Sequence, residues 1–325
     1  MMNRAIKNYS SEQKHPREST GLRGSWGVLL SILGVFVLAQ FGIFFLFKTF
    51  GRDNDEYLRL FENLDENYLE PFWFIYAQVL GALGFGSAEA TLSGMAIAIS
   101  GLAIVVFKKI TANDRRISSH MLLACLVLAY EISFVTGALR QGISFFGVVI
   151  FLLTSNLPFL FFAILTHWSG LVYALLSKWA SFALLALFIL VLVNLDDELT
   201  FLLNAVNRLE SYQDLNAVDD SARGFGLIIP KLLTFLVFLF SYRYLILLSG
   251  SRNLTRIIVT APLLQLLPLL FTSNMVVIDR GGMLLDPLVF IGSVFLLKGR
   301  HSPARSLIGL MIVAKFAARI TFALN

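Results

Sequence analysis

Two side chains stand out because hydrocarbon is a hostile place for them. Arg140 sits in the step Arg140-Gln141-Gly142, and His167 follows in Thr166-His167-Trp168-Ser169, both inside long apolar stretches. A guanidinium or an imidazole beside lipid needs a partner or a task. Arginine stays charged at any relevant pH and grips phosphate through a planar fork, which suits it to an anionic substrate. A histidine or a carboxylate within hydrogen-bond reach can take a proton from an attacking hydroxyl. Two further clusters offer the same chemistry: Gly51-Arg52-Asp53-Asn54-Asp55-Glu56-Tyr57 with Arg59, and Asp279-Arg280-Gly281-Gly282. Arg52, Gln141 and Arg280 are candidate substrate-binding groups. Tyr57 and Tyr212 offer rings on which sugars stack. Each residue also has a plainer reading. Arg140 can end a helix and snorkel to headgroups, His167 can satisfy a carbonyl freed at a helix break, the Asp53–Glu56 run can be a solvated loop, and Arg280 can be a turn residue.

The elements that position these groups follow from composition. Apolar residues make up 57% of the 325 and charged residues 14%, with a mean hydropathy of +0.76. Soluble domains carry roughly 25% charged residues, so the chain reads as a membrane protein. The net charge of +5 resides mostly in short loops between apolar spans, a topological signal rather than a nucleic-acid footprint. The lone Cys125 excludes an intramolecular disulfide. No Walker motif, glycine-rich nucleotide loop or metal-spaced Cys/His cluster occurs, so neither a cofactor nor a metal is expected.

Hydropathy and charge together give an all-α polytopic bundle. Residues 1–25 form a basic tail, expected to be cytoplasmic and followed by an uncleaved anchor at Trp26–Phe47. Residues 26–325 form one membrane-embedded domain with acidic outer loops at 48–87 and 196–226. Pro71–Gly86 reads as a short re-entrant or interfacial helix. Spans are expected at Ala88–Phe107, Ile117–Thr136, Gln141–Leu153, Trp179–Leu195, Phe225–Leu245, Ile257–Thr272, Met283–Leu297 and Ser306–Phe322, with a broken hairpin bent near His167. That makes about nine full spans plus partial elements, with every basic loop on one side. The four candidate clusters then share the outer membrane level. Glu131, deep in its span, calls for a cation such as Lys231 or a proton-handling role. Lys315 and Arg319, one turn apart, read as snorkelling or as the lining of an anionic lipid groove.

In this order the residues resemble the EpsG-like branch of the Wzy-type polysaccharide polymerases, over roughly residues 45–295. The match rests on Gly51, Asp53 and Tyr57, on Glu70-Pro71-Phe72, on Arg140-Gln141, on Thr166-His167-Trp168-Ser169, on Tyr212 and on Arg280. Thr166 stands where the family has an aromatic residue, and no aromatic closely follows Arg280. The resemblance implies a membrane glycosyltransferase of the bacterial inner membrane. It would polymerise undecaprenyl-pyrophosphate-linked oligosaccharide into O-antigen or exopolysaccharide on the periplasmic face, without metal or nucleotide. Arg140, His167 and Asp53 would be catalytic. Its partners would be membrane lipid and, in the same pathway, a chain-length regulator and a flippase. The competing reading is itself a lipid-linked oligosaccharide flippase or other surface-polysaccharide transporter, in which Glu131, Lys231 and broken helices line a path.

Overall fold

The computed structural model describes residues 34, 71–84, 88–112, 114, 116–167, 169–175, 220–267, 281–299 and 303–324. Among them every regular element is a helix: α1 (Pro71–Ala82), α2 (Ala88–Thr111), α3 (Ile117–Val135), α4 (Leu139–Thr154), α5 (Leu157–Thr166), α6 (Ser169–Leu175), α7 (Asp220–Phe240), α8 (Tyr242–Ser249), α9 (Arg252–Leu264), α10 (Asp286–Lys298) and α11 (Pro303–Leu324). The chain divides into two compact units. One holds Met1–Asn8 and Leu171–Phe295, the other Tyr9–Gly170 and Leu296–Asn325.

Two described helices are long and apolar enough to cross a membrane, Ala90–Thr111 and Ile117–Val135, and a bent pair over Ile228–Ser249 makes a third if it counts as one span. The nine spans expected from hydropathy are thus described only in part. Trp26–Phe47 and Trp179–Leu195 fall outside the described residues. With 16 and 10 residues, α4 and α5 reach about 24 and 15 Å, short of a hydrocarbon core near 30 Å. The 12-residue α1 is short for the same reason, as expected for Pro71–Gly86.

Phe240 is 85% exposed and Leu247 79%, while Glu131 and Ser144 are fully buried. Apolar side chains turned outward and polar ones turned inward suit helices whose surroundings are lipid and whose contacts rely on hydrogen bonds.

In the second unit, α2 and α3 form an antiparallel hairpin in which Ser100 Oγ donates to the Glu131 carboxylate at 2.8 Å. Next, α4 runs back along both. Gly142 permits the approach: a Cβ there would lie 2.5 Å from Phe134 Cβ and 3.1 Å from Ile99 Cδ1. Across the α3–α4 seam Tyr130 stacks on Phe145 and Phe134 packs against Phe145 at a tilt, with Phe146 edge-on to Phe145. After Ser155, left-handed at φ 57°, and Asn156, α5 returns antiparallel to α4.

The last helix, α11, runs parallel to α3. Arg305 donates to Ser118 and Ser119, Gly309 faces Leu122, and Lys315 lies 3.7 Å above the Tyr130 ring. Lys315 therefore does not follow the snorkelling expectation: its ammonium rests on an aromatic face in the seam, a cation–π contact that strengthens away from water. Lys108, Lys109, Arg116, Lys298 and Arg305 gather at one end of this unit. Arg116 lies between elements there, its guanidinium donating to the carbonyls of Lys298 and Gly299 and to the Asp114 carboxylate. Cations at a helix C-terminus satisfy carbonyls that have no partner within the helix. Arg140 lies beyond the far end of α3, whose 19 residues span about 28 Å.

In the first unit, α7 begins at Asp220, five residues before the expected Phe225, and bends by 73° into α8 at Ser241. The bend keeps its backbone bonds, with Ser241 N–H donating to Val237 and its carbonyl accepting from Leu245. Ser251 caps α9 through its hydroxyl, which accepts from Leu254 N–H. That cap starts the helix at Arg252 rather than at Ile257, so Arg252 and Arg256 are helical, not loop residues. Gln265 donates to Gly282 O at 2.9 Å and to Asp286 Oδ1 at 2.7 Å, and Tyr173 donates to Leu284 O at 2.6 Å. The Lys231 amine packs against Gly282, 2.7 Å from where a Cβ would stand.

Candidate functional site

The break that sequence places near His167 is there. Helix α5 ends at Thr166, His167 is extended at φ −166° and ψ 139°, and α6 opens at Ser169. Two contacts fix the break. Trp73 Nε1 donates to Thr166 O at 2.9 Å, tying α1 to the end of α5. Gly170 crosses so close that a Cβ would lie 2.7 Å from Ile164 N. The free end of α5 thus finds a donor from another helix, as a broken helix in apolar surroundings must.

A chain of hydrogen bonds connects this break to α4. Ser144 Oγ donates to Ala163 O at 2.9 Å. Ser169 Oγ lies 3.2 Å from Ser144 Oγ and 2.9 Å from His167 Nδ1. Ser169 N–H donates to the same Nδ1 at 3.1 Å. Ser144 and Ser169 are buried, and His167 is half-buried.

Arg140 precedes Ser144 by four residues, so the two lie one turn apart on one face of α4. Arg140 and His167 therefore lie toward the same end of the α4–α5 hairpin. That end is opposite the basic end of the unit. Arg140 is half-buried and Gln141 buried. Asp53, Arg52, Tyr57, Tyr212 and Arg280 lie outside the described residues. No cluster of His, Cys, Asp or Glu able to hold a metal occurs among the described residues.

From sequence, Ser144 had no role, Ser169 figured only as part of the histidine motif, and Trp73 only among outer tryptophans able to stack on sugars. The first carried a signal, its spacing of four from Arg140. The pairing of Ser144 with Ser169, 25 positions apart, carried none. No family model, curated protein or solved structure matches the chain.

Proposed function

We propose that the protein is a membrane glycosyltransferase that polymerises lipid-pyrophosphate-linked oligosaccharide, acting at the end of the helical hairpin that carries Arg140 and His167. The observation that carries this reading is the helix break at His167, whose imidazole contacts buried Ser169 and through it Ser144, one turn along α4 from Arg140. The resemblance of Arg140-Gln141 and Thr166-His167-Trp168-Ser169 to the Wzy-type polymerases supplies the substrate class.

In the reaction, a hydroxyl oxygen of the acceptor sugar attacks the anomeric carbon of the donor glycan. The new glycosidic bond forms as the bond to the lipid pyrophosphate breaks, and the leaving group departs with the electron pair. The hydroxyl proton passes to a base, for which Asp53 and His167 are the candidates. Arg140 neutralises charge on the departing pyrophosphate, and such preorganised donors contribute a few kcal/mol each. Arg140→Ala is expected to leave protein level unchanged and to reduce long-chain glycan to single repeat units. Normal chain length in that variant rejects the assignment.

The flippase reading draws on the 73° bend between α7 and α8 and on the buried Glu131. The two readings part on where substrate collects. Loss of a polymerase leaves exported single units, and loss of a flippase leaves them on the cytoplasmic side.

A further inference from the structure

We propose that α8 lies in the plane of the membrane at the end of α7, its exposed face seated at the boundary between acyl chains and headgroups, and that Arg243, Arg252 and Arg256 bind the anionic headgroups of that leaflet. The proposal does not depend on the polymerase reading.

Two placements fit a bend of 73° between apolar helices: a span broken within the hydrocarbon, or a span that has ended and turned along the surface. Length favours the second. Helix α7 runs for 21 residues, about 32 Å, and so covers a core of about 30 Å before the chain reaches Ser241. The exposed side chains decide between the two. On α8, Leu245 and Ser249 are buried, Ser249 against Thr255 of α9 at 2.7 Å, whereas Arg243 and Leu247, also one turn apart, are exposed. In a broken span the guanidinium of Arg243 would face hydrocarbon, which is costly. In water, Leu247 at 79% and Phe240 at 85% exposure would leave large apolar surface wet. Only the boundary suits both. There the arginine reaches phosphate along its apolar stem while the leucine and phenylalanine enter the acyl chains. Tyr242 and Tyr244, which flank Arg243, are of the type enriched at that level.

Charge names the occupant. From residue 221 to 278 the sequence has no Asp or Glu, against Arg223, Lys231, Arg243, Arg252 and Arg256. A tight elbow joins α8 to α9. Gly250 is left-handed at φ 65°, Ser251 N–H donates to the Ser249 hydroxyl, and Ser251 caps α9. This elbow sets the exposed Arg252 and Arg256, one turn apart on α9, close to the end of α8. Arg243 and Arg252 each stand in the first turn of their helix, where the dipole favours an anion over a cation. Their charge works against the helices that carry it and calls for an anion outside the protein. The phosphate of an anionic phospholipid supplies it.

The test uses the full chain carrying Cys125→Ser, which removes the one native thiol, in vesicles of phosphatidylglycerol and phosphatidylcholine. A nitroxide on Leu247→Cys reports its depth through collisions with oxygen and with a water-soluble nickel chelate. The expected depth is just below the phosphates. A nitroxide in bulk water overturns the proposal, and so does one deep in the acyl chains, which would restore the broken span that a flippase needs.

The second arm replaces the nitroxide with a fluorophore and compares quenching by the two lipids, each carrying a doxyl group on its acyl chain. Phosphatidylglycerol should be favoured, by about fivefold for each arginine at the headgroups, and about 0.5 M salt should shrink the preference. R243Q, R252Q and R256Q together should bring the ratio to about one. The three corresponding lysine substitutions should keep most of it, which separates lost charge from lost fold. Equal quenching by the two lipids with all three arginines present, or a ratio that the glutamines leave unchanged, rejects the headgroup role. Neither arm reads glycan, so the polymerase reading stands or falls separately.

Discussion

Gly170 is the residue on which the break at His167 most depends. A methyl group there would meet Ile164 N at 2.7 Å and Ala163 C at 2.8 Å, and backbone cannot swing aside as a side chain can. Gly170→Ala should therefore push α6 off the end of α5, pull Ser169 N–H away from the imidazole and destabilise the protein by about 1–3 kcal/mol, the usual cost of overpacking. Thermal unfolding in detergent measures this, and an unchanged melting temperature would contradict the close crossing. At this scale the sequence was half legible. Arginine and histidine announced themselves because their charge and polarity are costly in apolar runs. Serines do not, because their hydroxyls pass cheaply in any helix by bonding back to a carbonyl. Ser144 and Ser169 gain meaning only from their partners, and those partners are set by how α4 and α5 pack.

Among the elements, the junction of Asp114, Arg116 and the end of α10 has a pH dependence of known sign. Burial raises the Asp114 pKa, but hydrogen bonds from the Arg116 side chain and backbone, with the charges of Arg116 and His120, outweigh it and hold the carboxyl below its ordinary value. A depressed carboxyl stabilises the fold above the ordinary carboxylate range near about 4 and loses that contribution as pH falls through its own pKa. Asp114→Asn should be less stable than wild type at neutral pH, and the two should converge in acid. Unfolding temperature followed against pH reads this directly, and parallel curves would refute it. Helix limits were legible where charge or a cap marks them. Ile117–Val135 was expected to within one residue at its end, because Arg116 precedes it. The bend at Ser241 was not legible, since no proline or glycine stands there and its backbone bonds continue through it. Arg252 was misplaced in a loop because hydropathy sees its charge and overlooks the Ser251 cap.

For the molecule as a whole, composition pointed to a membrane and the long unbroken apolar runs to helices, since a closed barrel would show shorter strands of alternating polarity. The number of crossings was harder to read, because helices of 10 and 16 residues are as apolar as full spans and hydropathy cannot tell a hairpin that turns early from two complete passes. The shared course of α3 and α11 has a practical consequence. Both helices leave the cationic end together, so α11 ends toward the same side as Arg140. A secreted-phosphatase reporter inserted after residue 324 should thus report the side of the membrane on which Arg140 lies. The same reporter inserted at residue 112 should give the opposite answer. Equal activity from the two fusions would mean that the last helix runs the other way.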